Sequence, residues 1–312
     1  MKKNLCRGKV KVAVIGAGHL GKIHCRIYSQ SKDAQLIGIC DIDAQRAKIH
    51  AQTFRTQSFT NYQDLLDKVD AVSIATPTTN HFKTACAFLK NNIHVMIEKP
   101  ITTTTQQAQK LINLAQKKKC ILQVGHVERF NPAIKTIQKF CKYPKFIEVH
   151  RLSPYPKRGT DVGVVLDLMI HDIDIIQVLV KSRIKSFQAI GVKVLSKFED
   201  IANARIIFAN GTVCNLTASR ISADTLRKIR IFQNNSYLSI DYAQQKIDFY
   251  EKKGLKIIHR EITVLKKEPL VEELNSFLHC IKQGKKPVVC GINAKKALKI
   301  ALAITKQIHK NN

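Results

Sequence analysis

The sequence predicts an α/β protein that begins with a doubly wound parallel sheet and continues into a second region with an antiparallel sheet. In the first 120 or so residues, short apolar runs alternate with amphipathic stretches, which is typical of parallel strands covered by helices on both faces. A glycine-rich turn follows the first apolar run directly. From about Phe146, longer alternating runs are separated by turn signals such as Asn210-Gly211, which favours antiparallel strands.

The elements of the first region follow from its apolar runs, because buried parallel strands are almost continuously apolar. Strands are predicted at residues 10–15, 36–40, 71–75, 95–97 and 121–124. The stretches between them carry apolar residues at helical spacing. Helices are predicted at residues 20–29, 44–51, 81–91 and 105–118.

The second region predicts half-buried strands, for example at residues 204–208 and 237–241, and two closing helices at 270–282 and 294–310. A chain of 312 residues exceeds what one compact core usually holds. We therefore predict two domains, residues 1–123 and residues 124–312.

The charge balance narrows the choice of partners. There are 52 Lys and Arg against 23 Asp and Glu, a formal net charge of +29, which attracts anions in general. The basic residues form small groups such as residues 117–119, with no long basic tail carrying interleaved aromatics, which argues against nucleic-acid binding. No stretch approaches the roughly 20 apolar residues of a bilayer helix, so no membrane partner is expected.

The nine cysteines show no metal-ligand or redox-pair spacing. They predict buried thiols in a reducing cytoplasm and no metal site. The start Met1-Lys2-Lys3 imitates a signal peptide, but the run after it carries a charge and ends in glycines. We interpret that run as a strand.

A dinucleotide-binding pattern lies between the first predicted strand and helix. It consists of Gly16, Gly18, His19, Leu20 and Gly21 in the form Gly-x-Gly-x-x-Gly. The glycines let the backbone approach a pyrophosphate, and the N–H groups at the helix start favour its charge.

Asp41 stands at the end of the second strand, 20 residues after Gly21. A carboxylate there accepts hydrogen bonds from ribose hydroxyls and repels a 2′-phosphate, so NAD is predicted over NADP. Two alternatives stay open: Asp41 caps the following helix, or the nearby Arg46 accommodates NADP.

Polar residues follow two more strands: Thr76, Pro77 and His81 after one, and Glu98 and Lys99 after the next. Ligands of open parallel sheets bind at the carboxyl ends of the strands, so these are candidate cofactor contacts. Ordinary turn chemistry is the alternative for the Thr-Pro pair. A lysine beside an apolar strand and a nicotinamide is also suited to proton transfer.

Asp167, His171 and Asp174 fall at i, i+4 and i+7, on one stripe of a predicted helix. A carboxylate that orients the histidine makes it a candidate general base. The alternatives are a solvated acidic face with a structural histidine and a metal site of Asp and His ligands.

In this order, the motifs resemble the glucose-fructose oxidoreductase/inositol dehydrogenase (Gfo/Idh/MocA) family over essentially the whole chain. The resemblance implies an NAD-binding Rossmann domain over residues 1–123. It also implies an α/β domain over residues 124–312 for substrate binding and oligomerisation, with an open, mostly antiparallel sheet. A homo-dimer or homo-tetramer is therefore expected through that sheet.

Three strings resemble the branch of the family that acts on UDP-sugars: residues 124–132, residues 158–162 running into 167–174, and residues 217–220. This chain has Val164-Val165 and Met169-Ile170 where many members carry glycines. That departure implies a differently shaped sugar pocket.

By resemblance, Lys99 hydrogen-bonds the reacting hydroxyl, His171 accepts its proton, and Asp167 or Asp174 holds the imidazole. Lys99 and His171 lie in different predicted domains and would meet across the cleft between them. A cis peptide is implied at Lys99-Pro100. The arginines within or beside the three strings are candidates for the UDP diphosphate. They are Arg129, Arg151, Arg158 and Arg220.

The function implied is hydride transfer from carbon 3 of UDP-N-acetylglucosamine to NAD, giving a 3-keto sugar for a downstream aminotransferase. The alternatives within enzymes are oxidation of a UDP-sugar uronic acid or of a free polyol. Outside enzymes, a non-catalytic NAD-binding regulator or a nucleic-acid binder stays open.

Overall fold

The computed structural model describes residues 8–155 and 162–311. Their contacts divide the chain into two compact units. The first unit runs to His126 and also takes in Leu270–Lys295, and the second holds the described residues of Val127–Pro269 and those from Lys296 onward. The predicted division into residues 1–123 and 124–312 does not include the late segment in the first unit.

The first unit is built on six parallel strands in the spatial order β3-β2-β1-β4-β5-β6. The strands are β1 (Val10–Ile15), β2 (Ala34–Cys40), β3 (Gln57–Phe59), β4 (Ala71–Ile74), β5 (His94–Glu98) and β6 (Leu122–Gly125). The helices that alternate with them are α1 (His19–Gln30), α2 (Ala44–Thr53), α3 (Thr78–Lys90) and α4 (Thr105–Lys118). This strand order is that of the Rossmann fold, so the predicted doubly wound sheet is confirmed.

Helix α7 (Pro269–Gln283) contributes to the core of the first unit. Its Leu274, Phe277 and Leu278 are buried in one cluster with strand residues such as Val12 and Ile39. The sequence marks α7 as amphipathic but carries no local sign of the sheet that it covers. Only its tertiary packing assigns α7 to the first unit.

The second unit holds an eight-stranded sheet in the order β14-β13-β12-β11-β7-β10-β9-β8. Its strands are β7 (Phe146–Leu152), β8 (Ile184–Val192), β9 (Ile201–Phe208), β10 (Val213–Ser219), β11 (Leu226–Phe232), β12 (Ser236–Asp241), β13 (Lys246–Lys253) and β14 (Lys256–Ile262). Only the β7–β10 pair is parallel among these strands. The expected mostly antiparallel sheet is confirmed.

Helices bury one face of this sheet. They are α5 (Pro132–Ile137), α6 (Ile170–Val180) and the later part of α8 (Gly291–Asn311). Ile173, Ile176 and Ile304 from these helices share a cluster with strand residues such as Val149 and Ile231. Strand residues that alternate with the buried ones point to the opposite face. Among the described residues, no helix combines the length and the hydrophobicity that a membrane span requires.

Candidate functional site

The glycine-rich loop between β1 and α1 is tightly packed at Gly16 and Gly21 and open at Gly18. A Cβ at Gly16, whose φ is +96°, would lie 2.6 Å from the Ala75 carbonyl oxygen, and one at Gly21 would lie 1.8 Å from that of Gly16. A Cβ at Gly18 would meet nothing within 4 Å. The loop therefore requires glycine at positions 16 and 21 and leaves space beside Gly18 for a ligand.

Helix α1 begins in this loop, with Gly18 at its N-cap. No side chain caps the helix and its first turn contains no acidic residue. His19 and Leu20 are exposed there. The backbone N–H groups in the first turn of α1 therefore form an anion site of the kind that a dinucleotide pyrophosphate occupies.

Asp41 lies directly after β2, where the sequence placed it. Its Oδ2 accepts the Ala17 N–H at 2.7 Å and its Oδ1 accepts the Asp43 N–H at 2.9 Å. The helix α2 is capped by Asp43, which accepts the Arg46 N–H at 3.0 Å. The alternative of Asp41 as the helix cap is therefore wrong, and its carboxylate stands beside the glycine loop, as ribose recognition requires.

The Arg46 guanidinium lies near two carboxylates, those of Asp43 and Asp41. Its Nη2 lies 3.0 Å from Asp43 and 3.8 Å from Asp41. An arginine paired in this way with two carboxylates has less positive charge to offer a 2′-phosphate.

The side chain of His81 is buried and does not lie at the surface where a cofactor contact was predicted. The side chain is 1% exposed, with Nδ1 2.9 Å from the Pro100 carbonyl oxygen and Nε2 2.9 Å from that of Thr76. Both ring nitrogens face the backbone, which argues against a direct cofactor contact. Thr76 is half-buried and Pro77 is exposed, so these two residues remain candidates.

Glu98 ends β5 and Lys99 follows it directly. Lys99 is half-buried and Glu98 is buried, and the Lys99-Pro100 peptide is cis, as expected. The Glu98 carboxylate contacts His24 of α1, whose Nε2 lies 3.2 Å from Oε1. Sequence reasoning missed His24, although its position three residues after Gly21, on the same helix, was visible.

In the second unit, the predicted acid and histidine stripe begins on a π turn rather than on a regular helix. Val165–Met169 is π-helical, with the Ile170 N–H donating to the Val165 carbonyl, and α6 continues from Ile170. Asp167 and His171 are both half-buried. π turns recur at functional sites, and no local propensity in this stretch announces one.

Asp174 is 2% exposed and pairs with Arg129, whose Nη1 lies 3.4 Å from both of its carboxylate oxygens. Asp172, which the stripe excluded, is also buried. Its carboxylate is bound by Nε and Nη2 of Arg151, both at 2.9 Å. Burial raises the pKa of Asp172 although Arg151 opposes this.

Two of the four candidate arginines, Arg151 and Arg220, are buried together with the acids that bind them. Besides Asp172, Arg151 binds the buried Glu128, with Nη1 3.0 Å from Oε1. Arg220 is fully buried, with Nε 2.8 Å from Asp200. This argues against a diphosphate contact for Arg151 and Arg220. Arg129 is partly exposed, and Arg158 lies outside the described residues.

The comparisons with known proteins agree with this architecture. Residues 10–126 match an oxidoreductase family with an NAD-binding Rossmann fold, GFO_IDH_MocA, and residues 142–238 match the GFO/IDH/MocA C-terminal domain. The chain belongs to this family. It is therefore an oxidoreductase, and its cofactor is NAD, in agreement with the open side of Gly18, the uncapped α1 and Asp41.

The oxidoreductase is similar along its whole length to characterised relatives. It is 35% identical over 303 residues to UDP-N-acetylglucosamine 3-dehydrogenase of Acidithiobacillus ferrooxidans, covering 95% of this chain and 96% of the relative. A solved structure of that enzyme superposes with a TM-score of 0.91 at 33% identity, covering 97% and 98% of the two chains. The scyllo-inositol 2-dehydrogenase (NAD(+)) of Bacillus subtilis is 27% identical over 319 residues, covering 95% and 93%.

Proposed function

We propose that the oxidoreductase removes a hydride from carbon 3 of UDP-N-acetylglucosamine, giving the 3-keto nucleotide sugar and reduced NAD. The observation that carries this is the whole-length similarity to the Acidithiobacillus ferrooxidans enzyme, at 35% identity. The glycine loop, Asp41 and the half-buried Lys99 at the end of β5 supply the features that such chemistry needs.

The proton of the substrate hydroxyl is handled by side chains of the protein, while NAD supplies the hydride acceptor. In this proposal Lys99 hydrogen-bonds the hydroxyl and His171 takes its proton as the C–H bond breaks. Asp167 orients the His171 ring. Asp174 is the weaker candidate for that task because its carboxylate is engaged by Arg129.

The nucleotide part of the substrate carries two negative phosphates. We assign their recognition to Arg129 and Arg158. The guanidinium groups of Arg151 and Arg220 are buried in their ion pairs, whereas Arg129 is partly exposed beside its partner Asp174. Guanidinium groups bind phosphates in bidentate fashion. The net charge of +29 favours the approach of an anionic substrate in either case.

The decisive experiment incubates the protein with NAD and a panel of UDP-sugars, uronic acids and free polyols while the absorbance of reduced nicotinamide is followed. A carbonyl trap or an aminotransferase removes the product, so that an unfavourable equilibrium does not hide turnover. UDP-N-acetylglucosamine should be the preferred substrate, and Lys99→Met, the matched control, should be inactive. No reduction with any UDP-sugar under these conditions would refute the proposal.

The 3-keto product determines the kind of enzyme that follows. A ketone on a sugar ring accepts an amino group from a pyridoxal-dependent aminotransferase, so we propose such an enzyme as the downstream partner. Formation of a 3-amino nucleotide sugar in the coupled reaction, detected by mass spectrometry, would support the order.

We also propose that two copies associate through the open face of the eight-stranded sheet. A row of stacked rings crosses that face, with neighbouring centroids 4.6–5.7 Å apart. The rings are those of Phe146, Phe232, Tyr237, Tyr250 and His259. Phe146, Phe232, Tyr237 and Tyr250 stand next to buried residues along their strands, so they point to the open face and offer an aromatic surface to a second copy.

Light scattering tests this association at micromolar protein concentration. A dimer or a tetramer is expected for the unmodified protein, and Tyr237→Asp should shift it toward the monomer. Tyr143→Asp, at an exposed loop position outside the row, is the matched control. A monomeric unmodified protein would overturn the proposal.

We propose the cytoplasm as the location of the protein. None of the eight cysteines among the described residues forms a disulfide, which fits a reducing compartment. Fractionation of cells that express the protein tests this.

A further inference from the structure

His24 is buried beneath the strand end that carries Lys99. Its side chain is fully buried, with Nδ1 2.7 Å from the Ser73 Oγ of β4 and Nε2 3.2 Å from Oε1 of Glu98. The ring therefore connects α1, the helix that begins at the glycine loop, to the residue immediately before Lys99.

The Glu98 carboxylate connects His24 to the backbone of Lys99. Its Oε2 accepts the N–H of Lys99 at 3.3 Å. The carboxylate also lies against the backbone of Gly125, where a Cβ would come within 2.7 Å of Oε2. Burial disfavours the charged form of Glu98, but the neighbouring His24 and Lys99 hold its pKa below the ordinary value.

His81 holds the residue immediately after Lys99. Its Nδ1 lies 2.9 Å from the Pro100 carbonyl oxygen, and its Nε2 lies 2.9 Å from the carbonyl oxygen of Thr76. A neutral imidazole has one N–H and donates to only one of these acceptors at a time. The ring ties the loop after β4 to the loop after β5.

We propose that His24 and His81 are positioning residues for Lys99, His24 through the Glu98 carboxylate and His81 through the Pro100 carbonyl. The inference rests on the proposed role of Lys99 in proton handling. Both histidines are at most 1% exposed, so they act through the backbone on either side of Lys99 and touch neither substrate nor cofactor.

The size of the effect follows from the geometry of proton transfer. A lysine side chain has four carbon–carbon bonds that rotate, so a fixed backbone on both sides decides where its ammonium group can reach. A displacement of about 1 Å at a reacting group costs on the order of 10²-fold in rate.

Asparagine and glutamine separate the two contacts of each ring, because the Asn amide falls near the position of Nδ1 and the Gln amide near that of Nε2. His24→Gln keeps a donor to Glu98, whereas His24→Asn keeps only the contact to Ser73. His81→Asn keeps a donor to Pro100, whereas His81→Gln keeps only the contact to Thr76. Each residue thus supplies its own matched control.

The expected result is a crossed pattern in kcat with NAD and the UDP-sugar. His24→Asn and His81→Gln should lose on the order of 10²-fold, while His24→Gln and His81→Asn retain most of the turnover. The dissociation constant of NADH, from its fluorescence, and the KM of the sugar should change little in all four. Thermal unfolding should not separate the Asn from the Gln variants by the same pattern.

Equal loss in the Asn and Gln variants, or loss that follows thermal stability, would overturn the inference and leave the two histidines structural. The single variant Lys99→Met distinguishes failure of this inference from failure of the proposed function. If Lys99→Met is inactive and the four variants are fully active, the inference alone fails. If Lys99→Met turns over normally, the role of Lys99 and the inference fail together.

Discussion

Replacing Arg220 by methionine tests whether this arginine stabilises the fold or recognises the substrate. The guanidinium is fully buried and donates hydrogen bonds of 2.8 Å to Asp200 Oδ1, the Val162 carbonyl and Ser196 Oγ. Removing one partner of a buried ion pair costs about 3–5 kcal/mol. Asp200 keeps the N–H groups of residues 194–196, so about 3 kcal/mol is expected.

Urea unfolding followed by circular dichroism measures this loss, and on heating a chain of 312 residues it corresponds to a melting temperature about 5 °C lower. The control Arg205→Met, at an exposed residue of the neighbouring strand β9, should stay within about 0.5 kcal/mol of the unmodified protein. Adding Asp200→Asn to Arg220→Met should restore part of the loss, because the buried charge is then removed. Unchanged stability with a raised KM for the UDP-sugar would refute the reasoning. Arg220 would then again be a candidate for binding the diphosphate.

Three further outcomes are expected. Asp41→Ser should weaken the binding of NAD and strengthen that of NADP, shifting the ratio of the two affinities by about 5–150-fold as about 1–3 kcal/mol of charge repulsion disappears; equal affinities of the unmodified protein for the two cofactors would contradict this. Burial lowers the pKa of His81 although two carbonyls oppose it, so the unfolded chain takes up a proton that the folded one resists. Stability should therefore fall as pH drops below about 6.5, and His81→Asn should flatten that slope in urea titrations at several pH values. Lys99→Ala and His171→Ala should each lower turnover by roughly 10²–10⁴-fold, and the double variant should cost much less than the product of the two; normal turnover in His171→Asn would remove His171 from the site.

The Rossmann unit was predictable because its determinants are local. The loop from Gly16 to Gly21 is constrained by contacts within a few ångströms that only glycine permits. The apolar runs match the buried strands to within two residues at most ends, since a strand covered on both faces must be apolar throughout. The start of α3 was placed three residues late because Thr78 and Thr79 read as turn residues.

The contacts of the charged residues were not predictable in this way. Arg151, Asp172 and Glu128 meet across 21 and 23 positions of sequence, and no local pattern marks an arginine as one whose partners are already inside the protein. The same holds for His24, whose partners Ser73 and Glu98 come from two other elements.

The sequence by itself determined the family, the parallel sheet, the glycine loop and the place of Asp41, because each depends on spacing and backbone constraint along a short stretch. Tertiary structure alone decided that α7 belongs to the first unit, that Asp167 lies on a π turn, and which arginines are buried with acids. The physical reason is that a charged side chain is stable inside a protein only with its partner. Which partner that is depends on strands and helices far away in the sequence.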